Sequence, residues 1–426
     1  MFTLCKPISS KKRFSPNRKL DEQFSFTLFE NATSLNNTEW DGINEGRSVF
    51  LKKEYLALLE KCTNTKLLAR YVIVYQDRKP CGIIYFQVVD YNAGIFGDLL
   101  SGQTDTTKST RLKLFENYIG SNREEVLMRL FTCGNNLVSG EHGYVFLKNI
   151  GEELAHRIVV QIIELVSKEE KLKGTISAIL IKDFERKLQP EELFIEEKYT
   201  DFFVEPNLVV DIPPGVKSIL DYTQLFSKKY RNRAKSIFKT GQALVKKDLE
   251  AEEILRHEKE IYKLYESVYD KAKFRLLKLP VNYFSEVKRI YKNDFFVTGF
   301  YNNDVLVAFS SFFLMDEEVL EAHYIGFDYE RNHELELYQN ILYQNIEAAI
   351  SHQRSKVNLG RTAAEIKTTV GAKAVNLICY TKPQNTISKL ILKPFIGFLQ
   401  PAPWVPRNPF KEENLQDSAE QQKERT

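Results

Sequence analysis

The sequence predicts an α/β (α+β) fold of two tandem domains, each a mixed central sheet flanked by helices. Three observations carry this. A pair of apolar, β-rich runs joined by a polar turn occurs twice. Each pair is followed by more strand-like sequence, a long helix with apolar residues at helical spacing, and a further strand. A chain of 426 residues, 43% hydrophobic and 27% charged, suits two soluble globular units.

In the first copy, residues 70–90 read RYVIVYQDRKPCGIIYFQVVD, with Asp77, Arg78, Lys79 and Pro80 at the turn. In the second, residues 294–316 read DFFVTGFYNNDVLVAFSSFFLMD, with Asn302, Asn303 and Asp304 there. Such turns favour hairpins. Runs apolar on both faces mark strands inside a covered sheet. Residues 95–130, rich in Gly, Thr and Lys, read as an insertion or lid. Residues 152–168 carry Leu154, Ile158, Ile162 and Leu165 at helical spacing, and the strand-like TISAILI follows Gly174. Residues 334–351 carry Leu335, Tyr338, Leu342, Ile346 and Ala349 or Ile350, followed by VNL at 357–359. Between the halves, Pro213, Pro214 and Gly215 punctuate a strand end. A helix is expected from about Ser218 to Lys239, with Tyr222, Phe226, Tyr230 and Phe238 on one stripe. Lys228, Arg231, Lys235 and Lys239 give it a basic face, and Gly241 is placed to end it. This divides the chain into residues 1–198, 199–385 and a proline- and aromatic-rich arm with a charged tail at 386–426.

Bulk properties exclude several classes. A net charge of +3 is too mild to argue for nucleic acid by itself. Cys5, Cys62, Cys81, Cys133 and Cys379 form no C-x-x-C pair, and read as reduced thiols rather than a disulfide framework or zinc site. The six histidines show no metal-ligand spacing, so no metal is expected. No signal-peptide run and no stretch of about 20 apolar residues occurs. The expectation is a cytoplasmic protein, with peripheral contact at the inner face of the membrane as a second option. That contact would run through residues 389–410, with Trp404 and Phe410 as anchors; the alternative is an irregular arm packed on the core. No G-x-G-x-x-G, Walker A or G-x-S-x-G signature is present.

Candidate chemistry falls in the second half. In NLGRTAAEIKTTVGAK, residues 358–373, Thr362 and Glu365 predict a capping box and Gly371 the helix end. Arg361 then faces the positive end of the helix dipole, which is favourable with an anion between them. The alternative is a pair with Glu365 or another nearby acid. Lys367 suits the last turn of that helix. In LEAHYIG, residues 320–326, Glu321 and His323 share one strand face about 7 Å apart. They read either as general base and orienter for an amine, or as a solvated face with a core histidine.

The succession SKKYRNRAKSIFKTG, KAKFRLLKLP, FFVTGFYNNDVLVAFSSFF, HYIGFDYERNHELELYQNILYQNIEAAI and VNLGRTAAEIKTTVGA is similar to the FemAB/BioF2-like acyltransferase group over about residues 196–375. These are GNAT-fold proteins, often with two such domains. The resemblance implies transfer of an acyl or aminoacyl group to an amine, from an acyl thioester or aminoacyl-tRNA. It makes Arg231, Arg361, Glu365 and Lys367 the matching motif positions. The loop DYERNH, residues 328–333, would deliver backbone N–H groups to the donor's pyrophosphate, with Arg331 and Asn332 beside it. The expected glycines are missing there, whereas the matching loop Gly140, Glu141, His142, Gly143 has them. The coiled-coil arm of some tRNA-dependent members is not evident, which favours acyl-CoA or a similar co-substrate over tRNA. No tightly bound cofactor is implied. The acceptor would be a small-molecule or lipid amine. The rival expectations are a non-catalytic binding protein of the same fold at a membrane or protein partner, and an RNA-binding protein.

Overall fold

The computed structural model describes residues 18–20, 23–62, 67–92, 127–185, 191–272 and 277–411. Most of the expected insertion, and Cys5, lie outside these residues. The strands are β1 (Arg18–Lys19), β2 (Phe24–Phe29), β3 (Leu67–Gln76), β4 (Lys79–Asn92), β5 (Leu127–Cys133), β6 (Tyr144–Phe146), β7 (Ala178–Glu185) and β8 (Thr200–Asp211). They continue with β9 (Val245–Asp248), β10 (Phe295–Asn302), β11 (Val305–Leu314), β12 (Val319–Phe327), β13 (Lys356–Asn358) and β14 (Lys373–Pro383). The helices are α1 (Asn37–Asn44), α2 (Lys53–Cys62), α3 (Glu152–Lys173), α4 (Glu191–Glu196), α5 (Ile219–Gln224), α6 (Lys228–Gly241) and α7 (Ala251–Arg256). Then follow α8 (Glu258–Tyr269), α9 (Tyr283–Tyr291), α10 (Tyr329–Leu335), α11 (Leu337–Ser351), α12 (Ala364–Thr368) and α13 (Thr386–Leu399).

Both expected hairpins form. Asp77 and Arg78, and again Asn303 and Asp304, take positive φ at the two central turn positions, as a type I′ hairpin turn requires. All strands among the described residues join one mixed sheet of 14 strands, in the order β1-β2-β3-β4-β5-β7-β14-β8-β13-β12-β11-β10-β9, with β6 on β4. Pairing is antiparallel except β5 with β7 and β12 with β13. β14 and β8 stand next to each other within the sheet, with first-half strands on the side of β14 and second-half strands on the side of β8. β8, which follows the first half in sequence, lies on β13 of the second half. β14, which closes the second half, lies on β7 of the first. β8 and β14 pair with each other. The two halves therefore share one hydrogen-bonded ladder.

Side-chain packing crosses the same line. Val49, Phe50, Tyr55, Leu58, Leu59 and Leu137 share a buried cluster with Tyr283, Phe295, Phe309 and Phe313. The Tyr291 hydroxyl donates to Val49 O at 2.7 Å, and the Tyr324 hydroxyl to Leu137 O at 2.6 Å. Full burial of a ring such as Phe50 stabilises by roughly 1.5–3 kcal/mol, so this cluster ties the halves together.

Several sequence expectations need correction. The 218–239 helix is two helices, α5 and α6, because Phe226 turns inward to full burial between them. On α3, Leu154 and Leu165 stay exposed while Val159, Ile162, Ile163 and Val166 are buried, so the core stripe is rotated from the expected one. The stretch 328–333 is no loop: Asp328 caps α10 through Glu330 N. Thr362 and Glu365 form no capping box, since Ala363 holds the N-cap position in the left-handed region. Residues 386–399 form a helix despite Pro394, started by a capping box of Asn385 and Ser388. β5 already begins at Leu127, inside the expected insertion.

Gly326 on β12 shows how closely the layers meet. A Cβ there would collide with the backbone of Leu264 and Tyr265 on α8 and with the Phe309 ring. Gly326→Ala is expected to destabilise by about 1–3 kcal/mol through overpacking, measured as the urea midpoint. An unchanged midpoint would mean that α8 can yield.

Candidate active site at the seam of the sheet

β12 and β13 pair in parallel only from Val319–Lys356 to Glu321–Asn358. Beyond Glu321, β12 runs on to Phe327 without β13 beside it. This parting of strands, beside the exchange of β8 and β14, gathers polar groups from both halves.

Asp183 is at the centre. It is 1% exposed, and its backbone has a positive φ of 64°. Its carboxylate meets the guanidinium of Arg361 and the Nζ of Lys182, the latter at 2.6 Å. It also accepts from Gly140 N at 3.0 Å. Burial alone would raise its pKa, but the two cations hold it down to about 2. Lys182 Nζ further donates to Asn135 O at 2.8 Å and Val138 O at 2.7 Å. Arg361 therefore pairs with a buried acid, although not with Glu365. Glu365 turns outward instead, accepting from Val405 N at 3.2 Å and from Arg407 at 3.4 Å.

A second group lies along the seam. The Glu321 carboxyl accepts from Asn358 Nδ2 at 3.1 Å. Burial, with the charge of Glu141 adding to it, holds its pKa well above the carboxylate range. Glu141 accepts from Ser48 Oγ at 2.9 Å, and burial pushes it up to about 7. Lys367 is buried on α12, with Nζ donating to Gly360 O at 3.2 Å and to Arg361 O. Burial brings it down to about 7, while Glu205 and Glu321 work the other way. Glu141, Glu321 and Lys367 thus interact in sequence, with Glu321 in the middle. A carboxyl and an amine both displaced to near neutrality mark a site suited to moving protons.

His323 stands in an aromatic box. Its Nε2 is 2.7 Å from the Tyr283 hydroxyl, and its ring stacks on Phe50 and Tyr283. Burial brings it down to about 3, so it stays neutral and is a weak base. Among the described residues no hydrogen bond joins it to Glu321. Arg231 is half-buried on α6, and no hydrogen bond or ion pair among the described residues links it to Arg361, Glu321 or Lys367. Arg331 lies 3.5 Å from Asp328, and Asn332 Oδ1 accepts from Tyr338 N at 2.9 Å. Both are spent on the α10–α11 corner. The sequence reading did not single out Glu141 or the Lys182–Asp183 pair. Two adjacent charges inside the apolar run AILIKDF were the available signal for the pair.

No protein-family model matches the chain, and no curated protein matches it in sequence. Solved structures do. The structure of FemX superposes with a TM-score of 0.50 at 11% identity, covering 84% of this chain and 98% of that one. A tandem GNAT protein from the clavulanic acid biosynthesis pathway gives 0.47 at 8% identity, over 85% and 98%. The C-terminal domain of a putative lysylphosphatidylglycerol synthetase from Agrobacterium fabrum gives 0.40 at 10% identity, over 63% and 81%. The chain has the acyltransferase-type fold that its resemblance to the FemAB group implied. At these identities the likeness is one of fold.

Asp183 contributes to stability in a way that depends on pH. Its folded-state pKa lies below the ordinary 3.8, so its contribution is complete above that value and lost as pH falls through about 2. Asp183→Asn is expected to cost about 3–5 kcal/mol at pH 7, by leaving Arg361 and Lys182 unpaired. It should also flatten the acid limb of a urea-unfolding series. Arg361→Ala is expected to lower stability too; a mutant with wild-type stability would show that the pair is not structural.

Proposed function

We propose that the chain is an N-acyltransferase that works at the seam, moving an acyl group from a thioester donor to an amine. The reading is built on two copies of one unit, residues 1–198 and 199–385. The observation that carries it is the Glu141–Glu321–Lys367 series, with one carboxyl and one amine both near 7, where β12 parts from β13. The fold shared with FemX supports it.

Glu141, when ionised, takes a proton from the incoming ammonium. The free amine nitrogen then attacks the donor carbonyl carbon, the C–N bond forms, and the C–S bond breaks. The nitrogen sheds its second proton to the leaving thiolate, which departs as the thiol, and the amide keeps the acyl group. Lys367, when charged, supplies positive charge as the carbonyl oxygen becomes negative. Glu321 couples the two, so that the proton on one biases the other. An acyl-CoA-type donor is favoured over aminoacyl-tRNA.

One observation favours the rival reading, a non-catalytic binding protein. Glu336 occupies the N-cap of α11 with its carboxylate held by Arg233, and an acid at a helix start opposes a pyrophosphate there. The two readings separate in a thiol-release assay with acetyl-CoA, longer acyl-CoAs and a panel of primary amines. Glu141→Gln is expected to lower turnover by roughly 10²–10⁴-fold. In the wild type, kcat/KM should pass through a maximum near pH 7, rising as Glu141 ionises and falling as Lys367 loses its charge. No thiol release with any pair, together with no shift of the melting temperature by any acyl-CoA, would favour the binding protein.

A further inference from the structure

We infer that the second half carries a docking surface for an anionic lipid bilayer, formed by α13, the segment that follows it and the basic face of α6. This goes beyond the proposed function and does not depend on it.

Charge is the first observation. Helix α6 reads KKYRNRAKSIFKTG, with six cations and no acid, twice the net charge of the whole chain. Residues 386–411 add Lys389, Lys393, Arg407 and Lys411, again without an acid. The two stretches are joined: Ser227 N donates to Pro409 O at 2.8 Å, and Lys411 N to Leu225 O at 3.2 Å. Lys228, Lys229, Lys235, Lys239, Lys389 and Lys411 are exposed and have no ion pair among the described residues. Of the acids nearby, Glu336 is held by Arg233, Glu347 by Lys246 and Glu365 by Arg407. Asp221 on α5 and Glu330 and Glu334 on α10 have no such partner among the described residues. The six lysines outnumber these three acids, so the surface stays positive.

Apolar area is the second observation. Ile, Leu and Phe fill eight of the fourteen positions of α13. By spacing they spread over roughly 240° of its circumference, whereas packing on a core takes about 100°. Lys389 and Lys393, one turn apart, mark the remaining side. Strands β14 and β8 lie against α13; Ser388 is buried, and Leu392, Ile396 and Leu399 are only half-buried. Beyond α13, Val405 is 57% exposed beside α12, where Ile366 is 40% exposed, and Leu220 on α5 is 60% exposed. Fourteen residues make a helix about 21 Å long, short of a hydrocarbon core of roughly 30 Å. Such a helix lies along the lipid boundary, with its apolar arc among the acyl chains and its lysines at the phosphates. The α6 patch is a second, electrostatic hold on the same bilayer. RNA recognition draws on arginine and stacked aromatic rings. Here the exposed, unpaired cations on both stretches are lysines and the exposed apolar neighbours aliphatic, which suits a fluid layer of anionic headgroups.

The test is flotation of the full chain with vesicles of phosphatidylcholine, alone or mixed with phosphatidylglycerol. Binding to the mixed vesicles is expected to be about tenfold tighter or more, and to weaken as salt is raised. The two tryptophans are Trp40, which is fully buried, and Trp404, so a blue shift of emission on binding reports residues 400–411. Lys228→Glu, Lys229→Glu and Lys235→Glu together should weaken binding about tenfold. Gly397→Asp, where an added Cβ meets nothing within 4 Å, should weaken it several-fold and leave the urea midpoint unchanged. Equal affinity for the two vesicle types, or binding untouched by both sets of substitutions, overturns the inference. Binding of an oligouridylate without binding of either vesicle also overturns it, and makes the patch an RNA site.

Discussion

A carboxylate buried at the junction of two half-sheets cannot remain ionised unless cations reach it, and at Asp183 they come from both halves. Lys182 comes from its own strand and Arg361 from the other half of the chain. Desolvating such a group costs several kcal/mol, and only close, well-directed partners repay it. The fold supplies them by exchange of strands. β14 lies on β7, and its Cys379 thiol sits 3.5 Å from the same carboxylate. β8 lies on β13, which leads through Leu359 and Gly360 straight to Arg361. The position of Arg361 is therefore set by sheet register, and the two halves have little freedom to slide without exposing the Asp183 charge.

That fixed junction leaves its neighbours in the opposite condition. Glu141 is half-buried and Lys367 buried, neither has an ion pair among the described residues, and both sit near neutrality. Asp183 has used the nearby cations, so Glu141 is left with a serine hydroxyl and Glu321 with an asparagine amide. One acid is fully compensated and two are not, within one polar layer. The compensated acid stays ionised, whereas burial holds the uncompensated ones above the ordinary carboxylate range. The aromatic box around His323 makes the same distinction. A histidine packed among Phe50, Tyr283 and Phe313 is a packing element bridging the halves, not a base poised near pH 7.

The parts of the fold that follow from local chemistry were legible in the sequence. Asp77-Arg78 and Asn303-Asp304 announce two-residue hairpins, and the Leu342, Ile346, Ala349 spacing marks a helix that is indeed buried. The exchange of β8 and β14 was not legible, because it depends on which long-range ladder each closing strand joins, and their composition is the same in either partner. The site suffers from the same gap. Arg361 was recognisable as a charge needing an anion, but its anion is 178 positions earlier in the chain. Thr362 and Glu365 looked like a capping box for α12, yet φ of 68° at Thr362 and 49° at Ala363 turns the chain so that Ala363, with no hydroxyl, takes the N-cap. Glu141 looked like an ordinary loop residue, since nothing nearby in sequence reveals its burial.

The C-terminal strap completes the argument, because it explains how Lys367 is kept inside. Helix α12 has a single turn or so, too short to hold its own shape in water. Glu365 on its outer face is gripped by Val405 N and Arg407, and Thr368 Oγ1 accepts from Arg407 N at 3.0 Å. Just beyond, the Phe410 ring packs on Tyr222 and Phe226, and Ser227 N donates to Pro409 O at 2.8 Å. A Cβ on Gly371 would meet both the Tyr222 hydroxyl and the Phe410 ring, which ties the end of the same segment to the strap. With its outer face clamped, α12 must present Lys367 inward, where the Gly360 and Arg361 carbonyls receive it. At Phe410, which is half-buried, the aromatic arm braces this segment against Tyr222 and Phe226. Its grip on α12 is the physical reason a lysine can stay buried beside the seam.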